Sequence, residues 1–247
     1  MDKSLDKQLC VVTAASHGIG KAIAQRFIRE GADLIVADID IDAAKQVYAN
    51  NSQVVDIVKF DAANADDFDK IAEAVKKTGR KLKAVVPVVG GGPNHPISDI
   101  TPAEFRLVMD LNVTSSFFTV QKVLPYMSDK SAIVLISSIA GFQGGKNAIA
   151  YNAAKAAVRS MARSFTGELA ERGIRANAIS PGPTETQGFT DFVQGNDEIR
   201  NGIISQLPIG HIGQPSEIAS VALFLASDES SYVTGAEIIA DGGFTNR

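Results

Sequence analysis

Seven short apolar runs, spaced by longer stretches of helical periodicity, constrain this chain more than any other feature. The runs fall at residues 9–12, 34–38, 54–60, 83–90, 132–136, 175–179 and 236–240. Helix-patterned segments lie between them, at 21–29, 40–50, 66–78, from 101 onward, from 151 to near 172, and ending near 226. A continuous apolar run of this length is the pattern of a strand buried on both faces. Strands that alternate with helices build a parallel sheet covered by a helical layer on each side. The chain is therefore predicted to be α/β, a doubly wound parallel sheet. Its 247 residues, 45% of them hydrophobic, are enough for one such unit, so a single domain over 1–247 is expected, without repeat, linker or low-complexity tract.

Ligands of open α/β sheets bind at the carboxyl ends of the strands, so the residues that follow each run carry the candidate chemistry. Thr13, Ser16, His17, Gly18, Ile19 and Gly20 lead from the first run into a helix. Small residues there let backbone N–H groups and the helix dipole hold a phosphate. Asp38 closes the second run eighteen residues beyond Gly20, close to the ~20-residue spacing of a ribose-binding acid. A carboxylate at that place accepts bonds from an adenosine 2′-hydroxyl and repels a 2′-phosphate. The next residue, Ile39, is not basic, which points to NAD rather than NADP, although His17 could set a cation near a 2′-phosphate. Asp38 could instead serve as a turn or helix-cap residue.

Ser137 and Ser138 close the fifth run. Tyr151 and Lys155 follow, four apart and so on one helical face. An ammonium beside a phenol favours the phenolate, and a tuned tyrosine can exchange a proton with a substrate oxygen. On spacing alone, an amphipathic helix start with no joint role for these residues is the alternative. Thr101-Pro102-Ala103-Glu104 is a capping box with proline at the first helical position. Asn112 lies further along that helix, where its side chain competes for backbone bonds.

These motifs, in this order, resemble those of the short-chain dehydrogenase/reductase family, over about residues 8–244. The resemblance implies seven strands in the order 3-2-1-4-5-6-7 and a reversible oxidation of a secondary alcohol to a ketone with NAD. It implies Asn112, Ser138, Tyr151 and Lys155 as catalytic residues: Tyr151 as general acid/base, Ser138 on the substrate oxygen, Lys155 lowering the Tyr151 pKa and holding ribose hydroxyls, and Asn112 supporting a proton-relaying water. It assigns Asp61 to the adenine amino group, Ala62 to the ring, Gly90 to close backbone approach, and Pro181, Gly182, Thr184 and Thr186 to the nicotinamide end. Asp61 could alternatively cap the helix after it. Residues 187–210 would cover the substrate, and Phe117, Phe118, Val120 and Val123 with the Tyr151 helix would form a subunit interface of a homotetramer or homodimer.

Two departures stand out. Ala14 replaces the first glycine of the family's phosphate motif, and Pro87-Val88-Val89-Gly90 replaces its Asn-Asn-Ala-Gly, so a locally altered sheet is expected at the fourth strand. A 3-oxoacyl-(acyl carrier protein) reductase using NADPH and a non-catalytic NAD-binding protein are the competing readings.

The resemblance implies a small-molecule alcohol or ketone as the partner, and bulk properties argue against other classes. A net charge of −4 with no basic run argues against nucleic acid, and no apolar stretch reaches membrane-spanning length. The charged first seven residues lack a signal-peptide core, and a lone cysteine, Cys10, fits a reducing cytoplasm. Three histidines and one cysteine offer no metal-ligand spacing, so no metal is expected.

Overall fold

The computed structural model describes residues 4–245, so the first three residues of the charged N-terminal stretch lie outside it. All seven strands form one parallel sheet in the order β3-β2-β1-β4-β5-β6-β7. They are β1 (Leu9–Thr13), β2 (Asp33–Asp38), β3 (Val54–Lys59), β4 (Leu82–Val86), β5 (Met127–Ile136), β6 (Arg175–Pro181) and β7 (Glu237–Ala240). Alternate residues of each strand face opposite layers. Leu9, Val11, Ile35, Val85, Ile133 and Leu135 pack under α3 (Asp67–Lys77), α5 (Ser115–Val123) and α6 (Ile149–Glu168). Cys10, Val12, Leu34, Val36, Val86 and Val134 pack under α1 (Gly18–Arg29) and α9 (Pro215–Ala226). Burial pushes the Cys10 thiol up to about 12, which leaves it an inert core residue.

Several local expectations shift. The fourth strand is predicted over 83–90 but ends at Val86, because Pro87 has no N–H for the next ladder bond. The segment after it is tied instead by the Val88 N–H, which donates to the Thr13 hydroxyl at 2.9 Å. The helix predicted over 40–50 is α2 (Ile41–Val47), and Asn50 leaves it in a left-handed conformation, φ 62°. Val120 and Val123, predicted on an exposed interface, point into the core, because they share the face of α5 that meets the sheet. Phe117 and Phe118 remain 37% exposed.

The helix carrying Asn112 is not uniform. α4 (Pro102–Met109) starts at the Thr101–Glu104 capping box, and a π turn at Asp110–Thr114 separates it from α5. After β6 come two short helices, α7 (Gln187–Val193) and α8 (Asp197–Ile204).

Candidate active site

Every strand runs the same way, so the loops after β1, β2, β4, β5 and β6 gather along one edge. Between β1 and β4 the strand order reverses direction, which opens the crevice where such sheets bind ligands. The sequence-predicted residues converge on this edge.

Ser138 leaves β5 in an extended conformation, and its hydroxyl accepts the Ala140 N–H at 3.2 Å. Ser137 does different work. Its buried hydroxyl donates to the Lys155 carbonyl at 2.8 Å, which docks α6 onto the end of β5. Gly141 lets the helix approach, since a Cβ there would meet Lys155 backbone at 3.0 Å. The Lys155 ammonium is buried and donates to the Ile136 carbonyl at 3.0 Å. It also sits 5.5 Å from the Tyr151 ring centroid.

Asn112 closes the other side. Its amide nitrogen donates to the Gly91 and Val108 carbonyls, both at 2.7 Å, and its amide oxygen accepts the Gly91 N–H at 3.1 Å. The π turn turns this side chain toward the loop after β4 and leaves its own carbonyl to accept the Ser116 hydroxyl at 2.7 Å. Gly90 is enclosed between the two groups: a Cβ there would lie 2.8 Å from both the Asn112 oxygen and the Lys155 nitrogen.

Burial governs the electrostatics of the pair. It lowers Lys155 from 10.5 to about 8. It raises the Tyr151 phenol, and only the hydrogen bond with Ser138 pulls it back down. In the chain by itself the net direction for Tyr151 is upward, set by desolvation, while the Lys155 ammonium bonds the Ile136 carbonyl. Tyr151 stands as a neutral acid with a proton to donate.

The nucleotide end is built around the turn after β1. Gly20 is required there, because a Cβ would lie 2.1 Å from the Ala14 carbonyl oxygen. Ala14 itself is left-handed, φ 49°, at the place where the family motif has glycine. Asp38 accepts the Ser16 N–H at 2.8 Å with one oxygen and the Asp40 N–H at 2.9 Å with the other. It does not cap α2, a task that falls to Asp40, which accepts the Ala43 N–H. Ile39 beside it is 62% exposed. The exposed His17 bonds the Ser16 hydroxyl at 2.9 Å, and Ile19 packs partly against the core. Asp61 accepts the Ala63 N–H in a local turn rather than capping α3, and Ala62 is buried.

The loop after β6 comes over this turn. Gly18 faces Thr186, with 3.5 Å between a Cβ built on it and the threonine methyl. Thr186 caps α7 through the Phe189 N–H, Thr184 donates to the Gly182 carbonyl at 2.9 Å, and Gly182 after Pro181 is pressed against Asp241. Arg200 on α8 forms a two-pronged ion pair with Glu185 of this loop, which fastens the cover to it. His95, in the loop after β4, has its Nε2 3.1 Å from a Glu104 carboxylate oxygen.

Sequence reasoning missed Ser137 as a docking group, the Thr13–Val88 bond, the Arg200–Glu185 pair and Tyr48, whose hydroxyl donates to the Ala15 carbonyl at 2.5 Å. Each joins segments far apart in the chain, so no local pattern announces it.

A family profile described as enoyl-(acyl carrier protein) reductase matches residues 13–245. The NADP-dependent (R)-specific alcohol dehydrogenase of Lentilactobacillus kefiri is 33% identical, over 99% of each chain. The chain belongs to the short-chain dehydrogenase/reductase family. It is thus an oxidoreductase that acts on CH–OH groups, with this family's seven-stranded fold. The 3-oxoacyl-(acyl-carrier-protein) reductase FabG of Thermotoga maritima is 35% identical over 97% of this chain and 98% of its own. A 7α-hydroxysteroid dehydrogenase solved with NADH and 7-oxo glycochenodeoxycholic acid superposes with a TM-score of 0.91, at 33% identity over 98% of this chain and 96% of that one.

Proposed function

We propose that this chain interconverts a secondary alcohol and a ketone with a nicotinamide dinucleotide, Tyr151 serving as acid and base. One observation carries the reading: Ser138 is hydrogen-bonded to Tyr151, the Lys155 ammonium sits 5.5 Å from the Tyr151 ring, and Gly90 is enclosed between Lys155 and Asn112 at the end of β4. A protein that only bound the nucleotide would not need this set.

The residues present fit the cofactor. Lys155 uses one of its three N–H donors, on Ile136, so two are left for ribose hydroxyls. Each oxygen of Asp38 accepts one backbone N–H and keeps a further lone pair for a ribose hydroxyl. Thr13, Ser16, His17, Gly18, Ile19 and Gly20 would hold the diphosphate, Asp61 and Ala62 the adenine, and Pro181, Gly182, Thr184 and Thr186 the carboxamide. The nicotinamide, when bound, accepts or supplies the hydride. In reduction, Tyr151 donates its proton to the carbonyl oxygen. In oxidation, Tyr151 must first lose its own proton, and as phenolate it takes the hydroxyl proton. Ser138 hydrogen-bonds that oxygen in both directions and stabilises the charge that develops on it. Lys155 supplies a positive charge beside the phenol, and Asn112 fixes the Gly90–Gly91 backbone that borders both.

Asp38 favours NAD. Two backbone bonds hold its carboxylate in place, so a 2′-phosphate would meet a fixed negative charge. The Lentilactobacillus relative is NADP-dependent and the hydroxysteroid dehydrogenase holds NADH. Fluorescence titration with NADH and NADPH is expected to find NADH the tighter, and tighter NADPH binding would reverse the assignment. A second reading, a 3-oxoacyl-(acyl carrier protein) reductase, draws on the Thermotoga relative. Activity with an acetoacetyl thioester and NADPH, exceeding that with simple secondary alcohols, would establish it. We further infer a single domain, a homotetramer or homodimer, and a cytoplasmic location. Among the described residues no helix is long and apolar enough to cross a membrane.

A further inference from the structure

We propose that Tyr48 is a positioning residue for cofactor binding: its hydroxyl holds the turn after β1 in a left-handed conformation that Ala14 would otherwise leave. The inference rests on the dinucleotide reading above.

The turn carries a built-in conflict. Ala14 occupies φ 49°, a region that an L-residue with a Cβ disfavours. Its carbonyl is pressed against Gly20, so the backbone cannot relax without moving the start of α1. Such a conformation persists only where its surroundings over-determine it. Two side chains do so here, and both come from the β2–α2 unit. Asp38 at the end of β2 takes the Ser16 N–H at 2.8 Å. Tyr48, buried at the end of α2, gives its O–H to the Ala15 carbonyl at 2.5 Å. The one peptide group that joins residues 15 and 16 is thus held at both ends, its carbonyl by Tyr48 and its amide by Asp38, directly after the strained residue. Burial and the nearby charge of Asp38 both push the Tyr48 phenol up, so it remains a donor at any pH the protein meets.

Removing the clamp would let the turn populate a relaxed form. A nucleotide that binds only the left-handed form then binds with an affinity reduced by the fraction left in it. Ala14→Gly removes the reason for the clamp, because glycine accepts φ near 49° without strain. The two substitutions should therefore be coupled.

The experiment measures the dissociation constant of NADH and of NADPH for the parent, Tyr48→Phe, Ala14→Gly and the double variant, with amide hydrogen exchange at Ser16 in the cofactor-free proteins. Tyr48→Phe is expected to weaken the preferred cofactor about tenfold and to speed Ser16 exchange by a similar factor, while kcat at saturating cofactor stays at the parent's value. In the Ala14→Gly background the same change should cost about twofold or less. Parental affinity in Tyr48→Phe, an equal loss in both backgrounds, or a fall in kcat at saturation would overturn the proposal. Failure of Tyr48→Phe to fold, seen by circular dichroism, would assign Tyr48 to the core and overturn it as well. A parent that binds neither cofactor would instead sink the dinucleotide reading on which it stands.

Discussion

Lys155 donates one hydrogen bond, to the Ile136 carbonyl, from a site that solvent barely reaches, and burial brings its pKa from 10.5 to about 8. The unfolded chain keeps this proton until about pH 10.5, whereas the folded chain releases it near pH 8. Between those values the unfolded state binds more protons, so the contribution of Lys155 to stability rises with pH and is lowest below pH 8. Urea unfolding of the parent, compared with Lys155→Met, should show a difference that grows by up to about 3 kcal/mol across that window. A pH-independent difference would mean that the ammonium is hydrated. The neighbourhood of the site residues was legible in the sequence: Lys155 lies 5.5 Å from the Tyr151 ring, and Gly90 sits between Lys155 and Asn112. Their electrostatic state was not. Spacing shows that Tyr151 and Lys155 share a helical face, but burial sets the direction of both pKa shifts, and burial depends on which elements pack above them.

The π turn at Asp110–Thr114 is the element on which the cleft depends. An extra residue in the turn aims Asn112 at the loop after β4, where it satisfies the N–H and carbonyl of Gly91. Asn112→Ala would leave both without a partner, together with one bond to Val108. It is expected to destabilise the chain by about 2–3 kcal/mol in denaturant unfolding, with the fastest loss of amide protection at Gly91. A change within a few tenths of a kcal/mol would show that the loop holds itself. A mid-helix asparagine is a visible signal of local disruption, but the form it takes follows from Gly91, twenty-one residues away. The strand ends divide in the same way. The first strand is set by its own apolar run, whereas β4 stops at Val86 because Pro87 cannot continue the ladder, and the Thr13 hydroxyl then takes over its neighbour Val88.

Across the whole molecule, the strand order comes from the family resemblance, whereas alternating runs and helical segments predict the parallel sheet, because a sheet buried on both faces leaves a strong mark on sequence. The surfaces that two copies would share leave a weaker one. Val120 and Val123 have the same apolar character as Phe117 and Phe118, yet the first two fill the core and the last two lie on the outside of α5. Phe117 stacks on the buried Phe165 of α6 with ring centroids 6.0 Å apart, which ties α5 to the helix of Tyr151. Under the proposed homotetramer or homodimer, Phe117→Ser combined with Phe118→Ser is expected to give a smaller species than the parent in sedimentation velocity. An unchanged sedimentation coefficient would move the interface elsewhere.

The central claim, that Tyr151 carries the proton in an alcohol–ketone interconversion, is tested most directly by comparing the parent and Tyr151→Phe. Both would be followed by reduced-cofactor absorbance on a panel of polyols, 3-hydroxyacyl thioesters and hydroxysteroids. The account predicts turnover by the parent on at least one class, a loss of about 10²–10⁴-fold in the variant, and unchanged cofactor affinity. Turnover near the parental rate in Tyr151→Phe would contradict it.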